Sequence, residues 1–288
     1  MIDMHAHIMD MGSQGAAFSE IAFRKRAGIF SLYCCKNPEE WEFMKNIGAQ
    51  PVSAAAMLSF GIHPWESAGY SPDDYLDIYE AAPVIGEIGL DNVWTDIPHG
   101  IQLQCFRRQL KIAETLKKPV ILHTKGCEAE IADLIEDFPC PVLIHWYSGD
   151  IETLGRLIDL GCYFTLGPDT GFSDPDLLSA MLGRIPRERL FIETDGLESI
   201  FWVKENCPGF SLPEADPDFA GKYTGIGANK DYPLIVESLY NTLKTVSDYD
   251  CVDISSAAGQ NISALLEFAF SNIENDGKCL IISGGEES

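Results

Sequence analysis

The chain has 288 residues, 46% of them hydrophobic, which suffices for one large domain with a sizeable core. Its 20 basic and 44 acidic residues give a formal net charge of −24, which repels polyanions and excludes a broad non-specific nucleic-acid surface. Met1-Ile2 is followed at once by Asp3, leaving no room for a signal peptide, and no apolar run reaches the roughly eighteen residues of a membrane helix, so a cytoplasmic protein is expected.

Short apolar or β-branched runs alternate with longer amphipathic stretches, the rhythm of a parallel sheet with helical crossovers. The predicted strands are Met1–Met4, Gly28–Cys34, Ala55–Gly61, Pro83–Ile88, Pro119–Leu122, Pro141–Ile144, Cys162–Leu166 and Leu190–Glu193. Several are almost continuously apolar, as strands covered on both faces are. Eight such strands predict a (β/α)8 TIM barrel, an α/β fold that typically takes about 250 residues. Leu103, Phe106, Leu110, Ala113 and Leu116 lie at helical spacing in Ile101–Leu116, as do Ile151, Leu154, Leu157 and Ile158 in Asp150–Leu160.

After the eighth strand the chain becomes irregular from Gly196 to Asn229, with Pro208, Pro213 and Pro217, which predicts a lid over the site or a disordered insertion. Helices are expected again over Pro233–Val246 and Ser255–Phe270, the second capped by Ser255. The barrel domain is thus placed at 1–270, with an insertion at about 196–229, and the tail Ser271–Ser288 is peripheral. The nine cysteines form no CxxC pair, and Cys34, Cys140 and Cys162 fall in or beside apolar strands, where a reduced cysteine acts as a small hydrophobe.

Chemistry concentrates at the strand ends. Residues two apart on a strand share a side, so His5 and His7 can face one ion, with Asp3 on the same side. His123 ends the run Pro-Val-Ile-Leu and His145 ends Pro-Val-Leu-Ile, so two strands each deliver an imidazole at the C-terminal end. Glu87 and Asp195 stand at equivalent ends and would be costly to bury without a cation. Together His5, His7, Glu87, His123, His145 and Asp195 form a mixed nitrogen and oxygen set for one or two divalent ions, with Zn, Mn, Mg, Co, Ni and Fe left undistinguished.

His63, in Gly-Ile-His-Pro, is placed to bond a substrate or an attacking water. Asp91 either orients a ligating histidine or caps a loop. His99 reads as a surface residue at a helix entry, and Arg24-Lys25-Arg26 as solvated charge at a helix end.

The segments Asp-Met-His-Ala-His (3–7), Gly-Ile-His-Pro (61–64), Gly-Glu-Ile-Gly-Leu-Asp (86–91), Ile-Leu-His-Thr (121–124), Ile-His-Trp-Tyr-Ser-Gly (144–149) and Glu-Thr-Asp (193–195) resemble, in content and order, the TatD-like metal-dependent hydrolases. That family lies in the amidohydrolase superfamily and folds as a TIM barrel. The resemblance spans residues 1–195, with a weaker echo at 260–266. It implies one metal held by His5, His7, Glu87 and Asp195 and a second by His123 and His145, with Glu87 bridging, and Asp195 also accepting the proton of the attacking water.

Three features depart from the family pattern: Lys125 stands where an arginine is usual, Trp146-Tyr147 where Cys-Phe is common, and a long insertion follows Gly196. Lys125 still offers a cation to phosphate but lacks the fork of arginine.

The resemblance implies metal-dependent phosphodiester hydrolysis of DNA, with Lys125 and His63 neutralising the phosphate oxygens. The acidic composition narrows the partner to DNA ends or short, single-stranded oligonucleotides. The rival reading keeps the metals and hydrolyses a small amide, ester or lactone. A non-catalytic scaffold would lack ligands, and none is missing.

Overall fold

In the computed structural model, which describes residues 1–8, 14–46, 53, 56–170, 172, 174–207 and 231–250, eight strands pair in parallel in chain order. They are β1 (Ile2–Ala6), β2 (Phe30–Cys35), β3 (Ala56–Phe60), β4 (Val84–Gly89), β5 (Val120–His123), β6 (Val142–Ile144), β7 (Tyr163–Leu166) and β8 (Leu190–Ile192). Helices α1 (Gln14–Arg26), α2 (Pro38–Asn46), α3 (Leu76–Ala81), α4 (His99–Leu116), α5 (Glu128–Leu134), α6 (Ile151–Asp159), α7 (Pro175–Arg184), α8 (Leu197–Asn206) and α9 (Pro233–Asp250) follow the strands. The architecture is a (β/α)8 TIM barrel.

Strand alternation divides the core into two layers. Met4, Leu32, Cys34, Met57, Val84, Ile121, Leu143 and Phe191 fill the barrel interior. Their neighbours Tyr33, Leu58, Phe60, Ile85, Val120, Leu122, Ile144 and Phe164 point outward and pack with Phe106, Leu110, Leu154 and Leu157 of the helices. The period of two then fixes what emerges at the C-terminal ends: after inward Ile121 comes inward His123, and after inward Leu143 comes inward His145.

Two strands break that period. β1 sets Asp3 and Ala6 against Ser31 and Tyr33, three steps against two, and β4 sets Ile85 and Ile88 against Val120 and Leu122 in the same way. The extra residue of such a bulge re-aims the side chains that follow it. In β1, Met4 lies in the interior cluster, and the next residue, His5, contacts inward Cys34. Asp3 consequently points out toward α1, which overturns its expected place beside the two histidines.

Outside the barrel, Asp3 accepts hydrogen bonds from Arg24 Nη1 at 2.5 Å and from the backbone N–H and hydroxyl of Thr194 at 2.8 and 2.6 Å. Arg24 also donates to Glu20 at 2.8 Å, and all three charged side chains are completely buried. Arg24 is therefore no solvated helix-end charge: it neutralises two buried carboxylates. The Asp3–Thr194 bonds and a 3.0 Å bond from Asp195 N–H to the His5 carbonyl tie β8 back to β1.

The insertion expected from Gly196 is not irregular at its start, because α8 occupies Leu197–Asn206 and buries Leu197, Ile200 and Val203. The rest of it, at 208–230, lies outside the described residues, as do Ser255–Phe270, the 260–266 echo and the tail. Among the described residues no helix is long and apolar enough to cross a membrane.

Candidate metal centre

The side chains that leave the interior at the C-terminal ends meet around Glu87. His5 Nε2 lies 3.1 Å from His7 Nε2, 3.2 Å from Glu87 Oε2 and 3.2 Å from Asp195 Oδ1. His7 Nε2 lies 3.1 Å from Glu87 Oε2 and 3.6 Å from Asp195 Oδ1. An ion bound tetrahedrally at about 2.0–2.1 Å has ligand atoms about 3.3–3.4 Å apart, and His5, His7 and Asp195 form one group whose ligand atoms lie close enough together to hold an ion.

The other Glu87 oxygen faces a second group. Oε1 lies 2.7 Å from His123 Nδ1, 3.0 Å from His145 Nε2 and 3.6 Å from His63 Nε2. His63 Nε2 is also 3.3 Å from His123 Nδ1. All six expected ligands thus converge, and His63, expected only near substrate or water, stands inside the second cluster. His5 and His145 stack at 4.0 Å between ring centroids, joining the two groups.

Each imidazole has its remaining nitrogen held. His7 Nδ1 contacts the Cys34 carbonyl at 3.0 Å and His5 Nδ1 the Cys34 thiol at 3.2 Å. His145 Nδ1 contacts Glu193 at 3.0 Å, and His123 Nε2 contacts Asp91 at 2.8 Å. Holding a proton on one nitrogen leaves the lone pair of the other free for a cation, the arrangement that surrounds metal-ligating histidines. His123 is the exception in orientation, presenting Nδ1 because Asp91 occupies Nε2.

Asp91 contacts His123 and also caps the loop after β4, accepting the backbone N–H groups of Val93 and Trp94 at 2.7 and 2.8 Å. Glu193 was missed, although its spacing of two from Asp195 marks both as inward-facing at the end of β8. The role of the Cys34 thiol carries no signal in the sequence beyond its place in an apolar strand.

Electrostatics follow from this crowding. Burial alone would raise the Glu87 carboxyl, but the surrounding imidazoles, those of His145 and His5 foremost, hold it well below the usual carboxylate range. Burial and the neighbouring His5 oppose a charge on His145, yet Glu87 and Glu193 overcome them and push it up to about 9. His63 goes the other way: burial lowers it to about 4, more than Glu87 can restore. Its Nδ1 accepts the Trp65 N–H at 3.2 Å, so the neutral ring carries its proton on Nε2, facing the cluster.

Burial lowers the Lys125 ammonium, with Glu193, Asp169 and Asp195 opposing that shift. It donates to the Trp146 carbonyl at 2.6 Å and to Ser148 Oγ at 3.1 Å. His99 stands apart at the start of α4, paired with Glu130 at 3.1 Å, as its surface reading expects.

The family model for TatD related DNase matches residues 2–209. The uncharacterized metal-dependent hydrolase YcfH of Escherichia coli K12 is 30% identical over 145 residues, covering 48% of this chain and 55% of that protein. The deoxyribonuclease Tat-D of Schizosaccharomyces pombe is 26% identical over 155 residues, 47% of this chain and 49% of that protein. The chain spans about half the length of these curated relatives. The crystal structure of the TatD homolog YJJV from Escherichia coli superposes with a TM-score of 0.68 at 19% identity, covering 94% of this chain and 97% of that one, which shows the shared fold. With its model matched over most of its length, the chain belongs to the TatD-related DNase family.

Proposed function

We propose that this chain is a metal-dependent hydrolase that cleaves phosphodiester bonds at DNA ends or in short single strands, working inward from the end. His5, His7, Glu87 and Asp195 would hold one divalent cation, and His123 and His145, with the second oxygen of Glu87, another. A cation so placed supplies Lewis-acid activation of water and neutralises charge developing on phosphorus. The observation that carries the reading is Glu87 itself, a buried carboxylate whose two oxygens face two separate imidazole groups.

The remaining steps belong to the chain's own side chains. Asp195, its Oδ2 fixed by the Ser199 hydroxyl at 2.7 Å, accepts the proton of the attacking water. His63 donates from Nε2, and Lys125 offers its ammonium, toward the non-bridging phosphate oxygens. Nuclease names among the relatives favour phosphorus over carbonyl carbon; the human relative is named a 3′-5′ RNA nuclease.

Elemental analysis paired with cleavage of a 3′-labelled single-stranded oligonucleotide tests this. About two equivalents of transition metal, cleavage abolished by chelator, and loss of turnover in His123→Ala and Asp195→Ala with the fold retained are expected. Bound metal without cleavage moves the substrate to a small amide, ester or lactone, and a protein that takes up no metal overturns the proposal.

A further inference from the structure

Of the five tryptophans, only Trp41 belongs to the core, where it is 2% exposed. Trp65, Trp94, Trp146 and Trp202 stand on the segments that follow β3, β4, β6 and β8, at the mouth of the barrel. Trp65, Trp94 and Trp202 are 44%, 56% and 42% exposed, and a contiguous apolar patch, unlike a single exposed ring, marks a binding surface.

Two of these rings meet across the mouth. Strands in the order one to eight put β4 and β8 on opposite sides of the barrel, yet the indoles of Trp94 and Trp202 lie edge to face with centroids 5.7 Å apart. Both are anchored to the metal centre. Asp91, which bonds His123, accepts the Trp94 backbone N–H and, at 2.7 Å, the Trp65 indole N–H. Ser199, which bonds Asp195, sits three residues before Trp202 on the same face of α8.

Charge decides what such a rim can bind. A surplus of 24 acidic residues denies the chain a broad grip on the nucleic-acid backbone, so beyond the scissile phosphate itself, affinity for a strand calls for a source indifferent to phosphate. Stacking of bases on aromatic rings is that source, and it requires a base with a free face. Within a duplex both faces are already covered by neighbouring pairs.

We infer that the Trp94–Trp202 pair, through the exposed faces that its edge-to-face contact leaves free, is a stacking platform for unpaired nucleobases beside the scissile phosphodiester, and that it sets a preference for single strands over duplex. The inference rests on the phosphodiester reading above and names the residues that select its substrate.

Binding and turnover test it separately. A labelled, cleavage-resistant phosphorothioate single strand is titrated with the metal-loaded protein and followed by anisotropy. Trp94→Ala and Trp202→Ala should each weaken binding about tenfold, with Trp94→Phe and Trp202→Phe recovering most of it. In turnover, kcat/KM on a single strand relative to a small p-nitrophenyl phosphodiester should fall about tenfold in the alanine variants, through KM, and the advantage of single strand over blunt duplex should shrink. Unchanged affinity in the alanine variants, or a wild-type protein that does not bind the strand, overturns the platform even if the small diester is cleaved. Tryptophan-dependent binding with no cleavage of either substrate keeps the stacking site but overturns the hydrolytic reading, and with it the placement beside a scissile bond.

Discussion

Asp91 Oδ2 and His123 Nε2 are 2.8 Å apart, and this contact decides which nitrogen of His123 faces Glu87. The carboxylate is itself pinned by the Trp65 indole and two backbone N–H groups, so it cannot drift from the ring. Burial opposes its charge, but the His123 bond and these donors hold it well below the usual carboxylate range, so it stays an acceptor at neutral pH.

Asp91→Ala should therefore free the His123 ring and weaken metal binding about 10- to 100-fold, as loss of such orienting partners does. Competition with a chelating dye measures it. Metal affinity within twofold of the parent would remove Asp91 from the centre.

The buried triad behind β1 is a stability device. Arg24→Ala would leave the carboxylates of Asp3 and Glu20 buried and facing each other without a cation. A loss of about 3–5 kcal/mol is expected, read as a lower urea midpoint at unchanged slope. A loss under about 1 kcal/mol would mean that the carboxylates reach water or protonate at little cost.

How far the centre is legible in the sequence depends on which strand carries each residue. His123 and His145 are readable because β5 and β6 keep strict alternation, so the residue ending each apolar run must face inward. Asp3 is not, because a bulge inserts one residue without altering the hydrophobic pattern, and everything before it changes side relative to everything after. Arg24 resembles ordinary helix-end charge until its partners, one of them 21 residues away on β1, are seen. The Trp94–Trp202 contact joins the loop after β4 to helix α8, far apart in sequence, and no local pattern marks it.

Gly89 shows how tightly the neighbouring strand ends are fitted. Its φ is +150°, and a β-carbon there would lie 2.0 Å from the His123 carbonyl oxygen, a backbone atom that cannot swing aside. Gly89→Ala should cost about 2 kcal/mol or more and displace the end of β5. Thermal unfolding and metal stoichiometry together check this: lowered stability with fewer than two equivalents bound is the expected pair. Full occupancy at unchanged Tm would show that β5 accommodates the methyl group.

The protonation of the centre predicts opposite pH trends with and without metal. In chelator, His145 at about 9 binds its proton more tightly folded than unfolded, so its stabilising contribution is complete below about pH 6.5 and lost as pH rises through 9. His63 at about 4 does the reverse: the unfolded chain takes up the proton between about 6.5 and 4, so stability falls as pH drops through that window. The metal-free protein should then be most stable near pH 6.5. A cation must displace the proton from His145, so metal affinity should instead climb with pH up to about 9, and the loaded protein should gain stability over the range where the stripped one loses it. Urea midpoints from pH 5 to 9 with and without metal measure both trends, and parallel profiles would show that the proton on His145 and the cation do not compete.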